Sequence, residues 1–400
     1  MSETKFKDLF CIVGLGLTKV GSLPGISPRM LAVEAARLAI EDAGLAPQDI
    51  DAAIQAESDP GDGVRARYDD AFPRILGLPV KVYIPGVGRG GEVATLPILV
   101  ATQLLSLGIA KYVLIATGRN DWSRSQKMRK EGRRGHSFIE KEGIWGPPFG
   151  SIAAASFHGF LATRHMHEYG TTSRQLGAVA VAEREWACLN PHAFMYGKPI
   201  TIEDHQNSPI VVWPYHLLDI CLISDGGTAF IVTTAERAKH LRKPPVYIMG
   251  IGFGEQMAKL WWDKKSYTTL AVETAKNDAF RMAGIELKDI DVAEFYDCFT
   301  TEVIFQLEDY GWCKKGEGGL FVEEGHIRPG GDSPVNTGGG LLSSHHLGNL
   351  TCVSEAIIQV RGESGERQVK GAEIALATGH GGEILSGQMC SIHSTLILRR

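Results

Sequence analysis

The string Leu-Ala-Val-Glu-Ala-Ala (Leu31–Ala36) returns, with one residue changed, as Leu-Ala-Val-Glu-Thr-Ala (Leu270–Ala275). Each copy is followed by an Ala-Gly pair, Ala43-Gly44 and Ala283-Gly284, and then by Asp49-Ile50-Asp51 and Asp289-Ile290-Asp291 at one constant spacing. Matches held in register in this way mark an internal repeat. Within each copy apolar residues recur at the helical period, Ala-Gly stops the helix, and a short turn leads into a strand. Later in each half a further helix runs through a Gly-containing turn into a strand ending Ala-Thr-Gly, at Ala116–Gly118 and Ala377–Gly379. The chain reads as a duplicated α/β unit, with mixed sheets and helices packed between and outside them.

With 400 residues and 44% apolar content, the chain exceeds the usual size of one compact unit and has material for two. We place the first half at residues 1–240 and the second at 241–400, regular structure resuming near Val246. Residues 119–225 interrupt the repeat. They hold a basic run from Arg124 to Arg134, a Gly-Pro-Pro turn at Gly146 to Pro148, helical stretches at Ser151 to His167 and Ser173 to Cys188, and a polar segment from Tyr196 to Ser208. This insertion reads as a cap over the first half, where substrate-contacting loops tend to sit.

A formal net charge of −5 argues against nucleic acid as the main partner. The seven cysteines are scattered, odd in number and without a Cys-x-x-Cys pair, which supports reduced thiols and neither a zinc site nor a disulfide framework. Charges at Glu3, Lys5, Lys7 and Asp8 leave the amino terminus without a signal-peptide core. Pro97, Gln103, Gly108 and Lys111 break the apolar run Ala94 to Gly118 into helix, turn and strand, so no membrane span is expected. The expectation is a soluble cytoplasmic protein without a bound metal.

Candidate chemistry concentrates in the last third, at Glu294–Thr300 and at the glycine-rich, paired-histidine loop Asn336–Gly348. Each runs into a helix, the way α/β enzymes present acid-base groups at strand ends, so the two loops are expected to face each other across one active site. Tyr296 has an ordinary pKa of about 10, and holding it as phenolate near neutral pH costs about 4 kcal/mol, so it is a proton donor before it is a base. Imidazole titrates near neutrality, which suits His345 or His346 to general-base work, one being catalytic and the other structural. Asp297 is a candidate support beside Tyr296. Against this stand plainer readings: a Tyr hydroxyl satisfied at a sheet edge, and two histidines bonded to carbonyls in a turn.

Other features carry weaker signals. Gly86, Gly88, Gly90 and Gly91 precede a helix and either cradle phosphate or allow tight packing; the Lys-Ser/Thr of a P-loop is missing. Gly379-His380-Gly381-Gly382 offers backbone N–H groups to an oxyanion, although turn geometry explains it equally. Arg124, Lys127 and Arg129, with Lys130, Arg133 and Arg134, either bind the phosphates of a nucleotide-like carrier or form a solvated face. Trp261 and Trp262, beside Lys264 and Lys265, fit a substrate roof or a subunit interface.

With these motifs in hand, the chain resembles the thiolase superfamily over nearly its whole length, and within it the sterol-carrier-protein-type thiolases and the thiolase-like lipid-transfer aldolases that cleave steroid side-chain CoA esters. The matching strings are Tyr196 to Ser208, Tyr-Asp-Cys-Phe-Thr at Tyr296–Thr300, Gln-Leu-Glu at Gln306–Glu308, Gly316-Glu317 and Val-Arg-Gly at Val360–Gly362. The resemblance implies a thiolase fold: two pseudo-symmetric βαβαβαββ halves in a five-layered αβαβα core, with the insertion in the first half. It also implies a homodimer and a small partner subunit of the zinc-ribbon plus OB-fold type.

The departures bear on chemistry. A thiolase needs a cysteine at the start of the helix that begins near Gly91, because its thiolate takes the acyl group. Here Gly91 or the neighbouring Gly90 stands at that former nucleophile position, and the second thiolase cysteine aligns with Ala377. Tyr296 replaces the usual His of a His-Asp-Cys-Phe motif, as in the aldolases, whereas the aldolases' other catalytic Tyr aligns with His346. Cys298 reads as a packing residue, and Cys352 and Cys390, within a helix and a terminal strand, stand at positions that do not suggest a nucleophile. Without a nucleophile the remaining chemistry is retro-aldol cleavage of a bulky β-hydroxyacyl-CoA, with His346 as base, Tyr296 as acid, and His345, Asp297, His380 and Gly381 in support. Coenzyme A enters as part of the substrate, with no further cofactor. The alternatives are a thiolase-type acyltransferase with a relocated cysteine and a non-catalytic acyl-CoA or lipid-binding subunit.

Overall fold

A computed structural model describes residues 6–56, 71–88, 90–132, 154–257, 266–382 and 390–400. Arg133, Arg134, the Gly146–Pro148 turn, Trp261, Trp262, Lys264 and Lys265 lie outside them. The strands are β1 (Phe10–Leu17), β2 (Ala52–Gln55), β3 (Val82–Pro85), β4 (Val113–Asn120), β5 (Ile210–Val212), β6 (Tyr215–His216), β7 (Asp225–Thr234), β8 (Val246–Met257), β9 (Val292–Glu294), β10 (Ile374–Gly381) and β11 (Cys390–Arg399). The longer helices are α1 (Pro28–Ala43), α2 (Leu96–Ser106), α3 (Asp121–Lys130), α4 (Ala154–Tyr169), α5 (Ser173–Cys188), α6 (Val272–Ala283), α7 (Thr300–Tyr310) and α8 (Leu350–Arg361).

The main strands form one mixed sheet in the order β3-β2-β4-β7-β1-β8-β11-β10-β9. Read outward from the β1–β8 junction, the sequence antiparallel, antiparallel, parallel occurs on both sides, through β7, β4 and β2 in one half and β11, β10 and β9 in the other. A single bridge, Ala293 to Val335, stands where the first half has β3.

Pleat alternation sorts the side chains into layers. Val113 and Ile115 of β4, with Ala375 and Ala377 of β10, face a central core that also holds Ile98 and Ala101 of α2 and Val353 and Ile357 of α8. Leu114 and Ala116 face α1 on one outside, and Leu376 faces α6 and α7 on the other. The result is the five-layered αβαβα core of the thiolase fold.

The repeat is real, but its letters are one step out of phase. Both helices end on a glycine in the left-handed region, Gly44 (φ 68°) and Gly284 (φ 63°). Counting back from these caps, the buried positions Ala35, Ala39 and Ala43 correspond to Ala275, Ala279 and Ala283. Leu31 and Leu270 are therefore not equivalent. The Ala-Thr-Gly strings slip likewise: β2 pairs Ala52 with Val113 and β9 pairs Val292 with Ala375, so Ala116 corresponds to Thr378. Burial period, not identity of letters, is what the two halves share. The Asp-Ile-Asp copies are true equivalents. Asp49 and Asp289 each cap a short turn through Ala46 N and Glu286 N, both 2.8 Å. Asp51 and Asp291 each take N–H groups at the start of the neighbouring strand.

The insertion corrects one expectation. It leaves the first half of the chain but covers the second: Leu161, Leu176, Val179, Ala182 and Tyr215 pack with Phe299, Val303 and Phe305. The apolar stripes of α4 and α5 find their complement on α7, and Trp186 donates to the Ile327 carbonyl at 2.9 Å.

Candidate active site

Tyr296 follows β9 and is fixed through its backbone. Its N–H donates to Thr378 Oγ1 (2.9 Å), and its carbonyl accepts from Gln306 Nε2 (3.0 Å). The facing loop turns sharply at Asn336 (φ 52°), Gly339 (φ 97°) and Gly340 (φ 57°) and winds through one π-helical turn, Gly340–Ser344. His345 is extended (φ −168°, ψ 157°), so His345 and His346 point to opposite sides. Along Phe295–Phe299 only Tyr296 escapes full burial, and along Leu341–Leu350 only His346 does.

Those two side chains meet. Tyr296 Oη and His346 Nε2 are 3.1 Å apart, with ring centroids 6.0 Å apart at 66°. Burial, followed by the nearby Arg119 charge, pushes the His346 imidazole down to about 3, while a backbone hydrogen bond to Leu222 opposes the shift. The ring is neutral near pH 7; in the tautomer that places its N–H on Nδ1, toward the Leu222 backbone, the Nε2 lone pair accepts the Tyr296 hydroxyl. Ser224 Oγ accepts the His346 backbone N–H at 3.2 Å.

The supporting residues divide. His345 turns inward: Nδ1 meets Ser344 Oγ at 2.9 Å, the ring lines a small cavity of about 30 Å³ with Glu294, Glu355 and Arg367, and burial lowers its pKa to about 4. Asp297 is fully buried and accepts from Leu341 N (2.7 Å) and Leu342 N (2.9 Å), so it holds the histidine loop and is shut off from solvent. Glu183 lies against Asp297 with Asn336 Nδ2 on its other oxygen (2.7 Å). Burial raises both acids; the backbone donors favour charge on Asp297, which leaves the proton on Glu183, pushed well above the carboxylate range. The turn carrying His346 thus rests on a carboxyl-carboxylate pair.

His380 points into a buried group with Glu302 and His158, at 3.3 Å from Glu302 Oε2. Its backbone N–H is spent on Asn349 Oδ1 (2.9 Å), which removes one donor from the expected oxyanion turn. Gly381 packs against Gly90, where a Cβ would lie 2.8 Å from Gly382 N. A Cβ on Gly91 would lie 2.7 Å from the Gly379 carbonyl and closer still to that of Ile392. Gly91, the residue expected at a nucleophile position, therefore has no room for a side chain. Of the basic run, Arg124 is engaged with Asp121 (2.5 Å), whereas Lys127 and Arg129 are exposed at the end of α3.

Sequence reading passed over three neighbours of His346. Cys221 Sγ lies 3.8 Å from Nδ1, and Arg119 and Asp121 act on the imidazole from the end of β4. Position at a strand end was a usable signal for Arg119; Cys221 follows an irregular hairpin and had none.

Residues 256–400 match a family model described as thiolase C-terminal domain-like. The chain is 34% identical over 359 residues to a steroid side-chain-cleaving aldolase of Thermomonospora curvata, covering 88% of this chain and 90% of that one. It is 33% identical to a 17-hydroxy-3-oxo-4-pregnene-20-carboxyl-CoA lyase of Mycobacterium tuberculosis (94% and 97%) and 31% identical to an acetyl-CoA acetyltransferase of Methanothermobacter thermautotrophicus (96% and 98%). Among solved structures it is similar to an Ltp2-ChsH2(DUF35) aldolase, with a TM-score of 0.84 and 33% identity over 98% of both chains.

Proposed function

The chain belongs to the thiolase superfamily, in its sterol-carrier-protein-type thiolase-like family, and from that premise we propose that it is an acyl-CoA lyase cleaving a bulky β-hydroxyacyl-CoA. The observation that carries this reading is the Tyr296–His346 hydrogen bond between the partly exposed side chains of the two loops, together with the lack of room for a side chain at Gly91, the expected nucleophile position. The β-hydroxyl proton passes to Tyr296 Oη as the phenol proton passes to His346 Nε2. The Cα–Cβ electron pair moves onto the thioester, the β-carbon leaves as ketone or aldehyde, and the pair returns the proton to Cα, releasing a shortened acyl-CoA. Protonating an imidazole held down to about 3 costs about 5 kcal/mol at pH 7, so the imidazolium formed is transient and gives its proton back toward Cα within the same turnover. Names of the relatives favour a steroid side chain as the acyl group.

A thiolase-type transferase is the second reading, favoured by Cys221 beside His346 and by the acetyltransferase relative. Burial and the Asp297 charge push the Cys221 thiol up to about 12, so about one molecule in 10⁵ carries the thiolate at pH 7. A neutral thiol attacks poorly, and the lyase is preferred. Lys127 and Arg129 are candidates for the CoA phosphates, and a homodimer joined by a DUF35-type small subunit is the proposed assembly.

The test is incubation with candidate β-hydroxyacyl-CoAs, with and without such a small subunit and with no free CoA, while following ketone release. Cleavage without CoA supports the lyase; product formed only when CoA is added supports the transferase.

A further inference from the structure

At the end of β4 the sheet register decides where Arg119 points. Gly118 pairs with Gly227 and Arg119 with Gly226. Cβ atoms on Gly118 and Gly227 would run into the α1 backbone, Ala32 N at 2.7 Å from the first and Leu31 C at 2.7 Å from the second. Directly paired residues share a face and successive residues alternate, so Arg119 projects from the other face. There a Cβ on Gly226 would meet Leu347 Cδ2 at 2.9 Å, the residue next to His346. Arg119 thus emerges beside the histidine loop. Its Nε is held by Asp121 Oδ2 (2.7 Å), which is itself clamped by Arg124, and its side chain stays 24% exposed, so it is reachable from solvent.

We propose that Arg119 is a further catalytic residue of this site, its guanidinium receiving the enolate oxygen that forms when the carbon–carbon bond breaks. This rests on the lyase reading. The Cα–Cβ electron pair ends on the thioester oxygen, and a guanidinium neutralises that charge without releasing a proton, since it stays protonated throughout. The proton itself travels from the β-hydroxyl to the Tyr296–His346 pair and back to Cα. Need for such a cation follows from the terminal glycine turn, whose His380 N–H is already committed to Asn349. The same charge helps keep His346 neutral. The other titratable groups facing His346 are Asp121 from the start of α3, Cys221 after β6, Tyr296 after β9, and His345 on its own loop.

The experiment pairs turnover with an imidazole titration followed by ¹⁵N NMR in histidine-labelled protein, using Arg119→Gln, Arg119→Lys and Asp121→Asn. Arg119→Gln is expected to lower kcat about 100-fold with KM little changed, the loss of one oxyanion donor, and Arg119→Lys to recover part of it. His346 should titrate higher in Arg119→Gln and lower in Asp121→Asn, an opposition that mere structural damage would not produce. Wild-type turnover in Arg119→Gln, or a His346 resonance unmoved by it, overturns the proposal while the lyase stands. A wild-type protein that cleaves no β-hydroxyacyl-CoA sinks the lyase reading and the enolate role with it; a His346 shift seen even then still places Arg119 beside the ring.

Discussion

The loop before α2 and the loop before α8 occupy the same place in the two halves and have opposite fates. In the first half Gly90 and Gly91 are walled in by Gly379, Gly381, Gly382 and Ile392, and Asn349 Nδ2 ties down the Gly90 carbonyl at 2.9 Å. In the second half the loop arches over buried acids and leaves the His346 side chain partly exposed. Close backbone packing shuts the first loop to side chains, and on the lyase reading only the second carries proton chemistry. The largest effect on activity should therefore come from the open loop. Tyr296→Phe and His346→Ala are each expected to lower kcat by about 10²- to 10⁴-fold with little change in denaturant midpoint. The double variant should be hardly worse than either, because the pair passes one proton. Intact turnover in both single variants would remove the pair from the chemistry, whereas a wild type with no turnover on any β-hydroxyacyl-CoA would favour a binding subunit.

The closed loop should answer in stability. Gly91→Ala is expected to cost about 3 kcal/mol, measured by denaturant unfolding, because the new Cβ meets backbone carbonyls that cannot rotate away. Gly91→Cys should behave like Gly91→Ala and form no acyl-enzyme on mass spectrometry. If it folds normally and acylates, the first-half loop is not closed and the contrast between the loops disappears.

A smaller effect sharpens the account of the open loop. Glu183 has a raised folded pKa, from burial first and the Asp297 charge second. A raised acid binds its proton more tightly in the folded state, so its contribution is present below the unfolded value and is lost as pH rises through the folded one. The Glu183 contribution to wild-type stability should fall from about pH 5 upward, on top of the rise contributed by the depressed His345 and His346. Glu183→Gln imitates the protonated acid and should flatten that fall, by about 1.4 kcal/mol for each pH unit over which only the folded state keeps the proton. Parallel pH–stability curves would mean that Glu183 is ionised in the fold.

Much of this was legible in the chain, for reasons that can be named. Tyr296 and His346 were visible because catalytic types stood at strand-to-helix junctions, and Asp49 and Asp289 because a capping acid must sit at one spacing from the N–H it accepts. The signature Tyr196 to Ser208 proves to be structural: its His205 pairs with buried Asp219 (2.8 Å), which also takes the Thr300 hydroxyl (2.7 Å) at the start of α7. What stayed hidden depends on distance across the sequence. Glu183 and Asp297 lie far apart in the chain, the pleat phase that displaces both repeated strings appears only once strands pair, and the covering of the second half by the insertion depends on which helix face finds α7.

The smallest expected effect carries the sharpest choice between chemistries. Cys221 is the thiol that stands beside His346, and a transferase built on this fold would use it. Held protonated by burial, it offers the imidazole a weak contact at 3.8 Å whose loss is worth about 0.5 kcal/mol, so Cys221→Ala should change kcat by no more than about threefold. Iodoacetamide should likewise leave cleavage running, since the alkylating species is the scarce thiolate. Were Cys221→Ala instead to abolish turnover while Tyr296→Phe spared it, the roles would reverse: His346 would be the base of a cysteine nucleophile, with Arg119 beside both lowering the thiol pKa once substrate had displaced water. The open loop would then carry the acyl-transfer chemistry that the closed one no longer has room to perform.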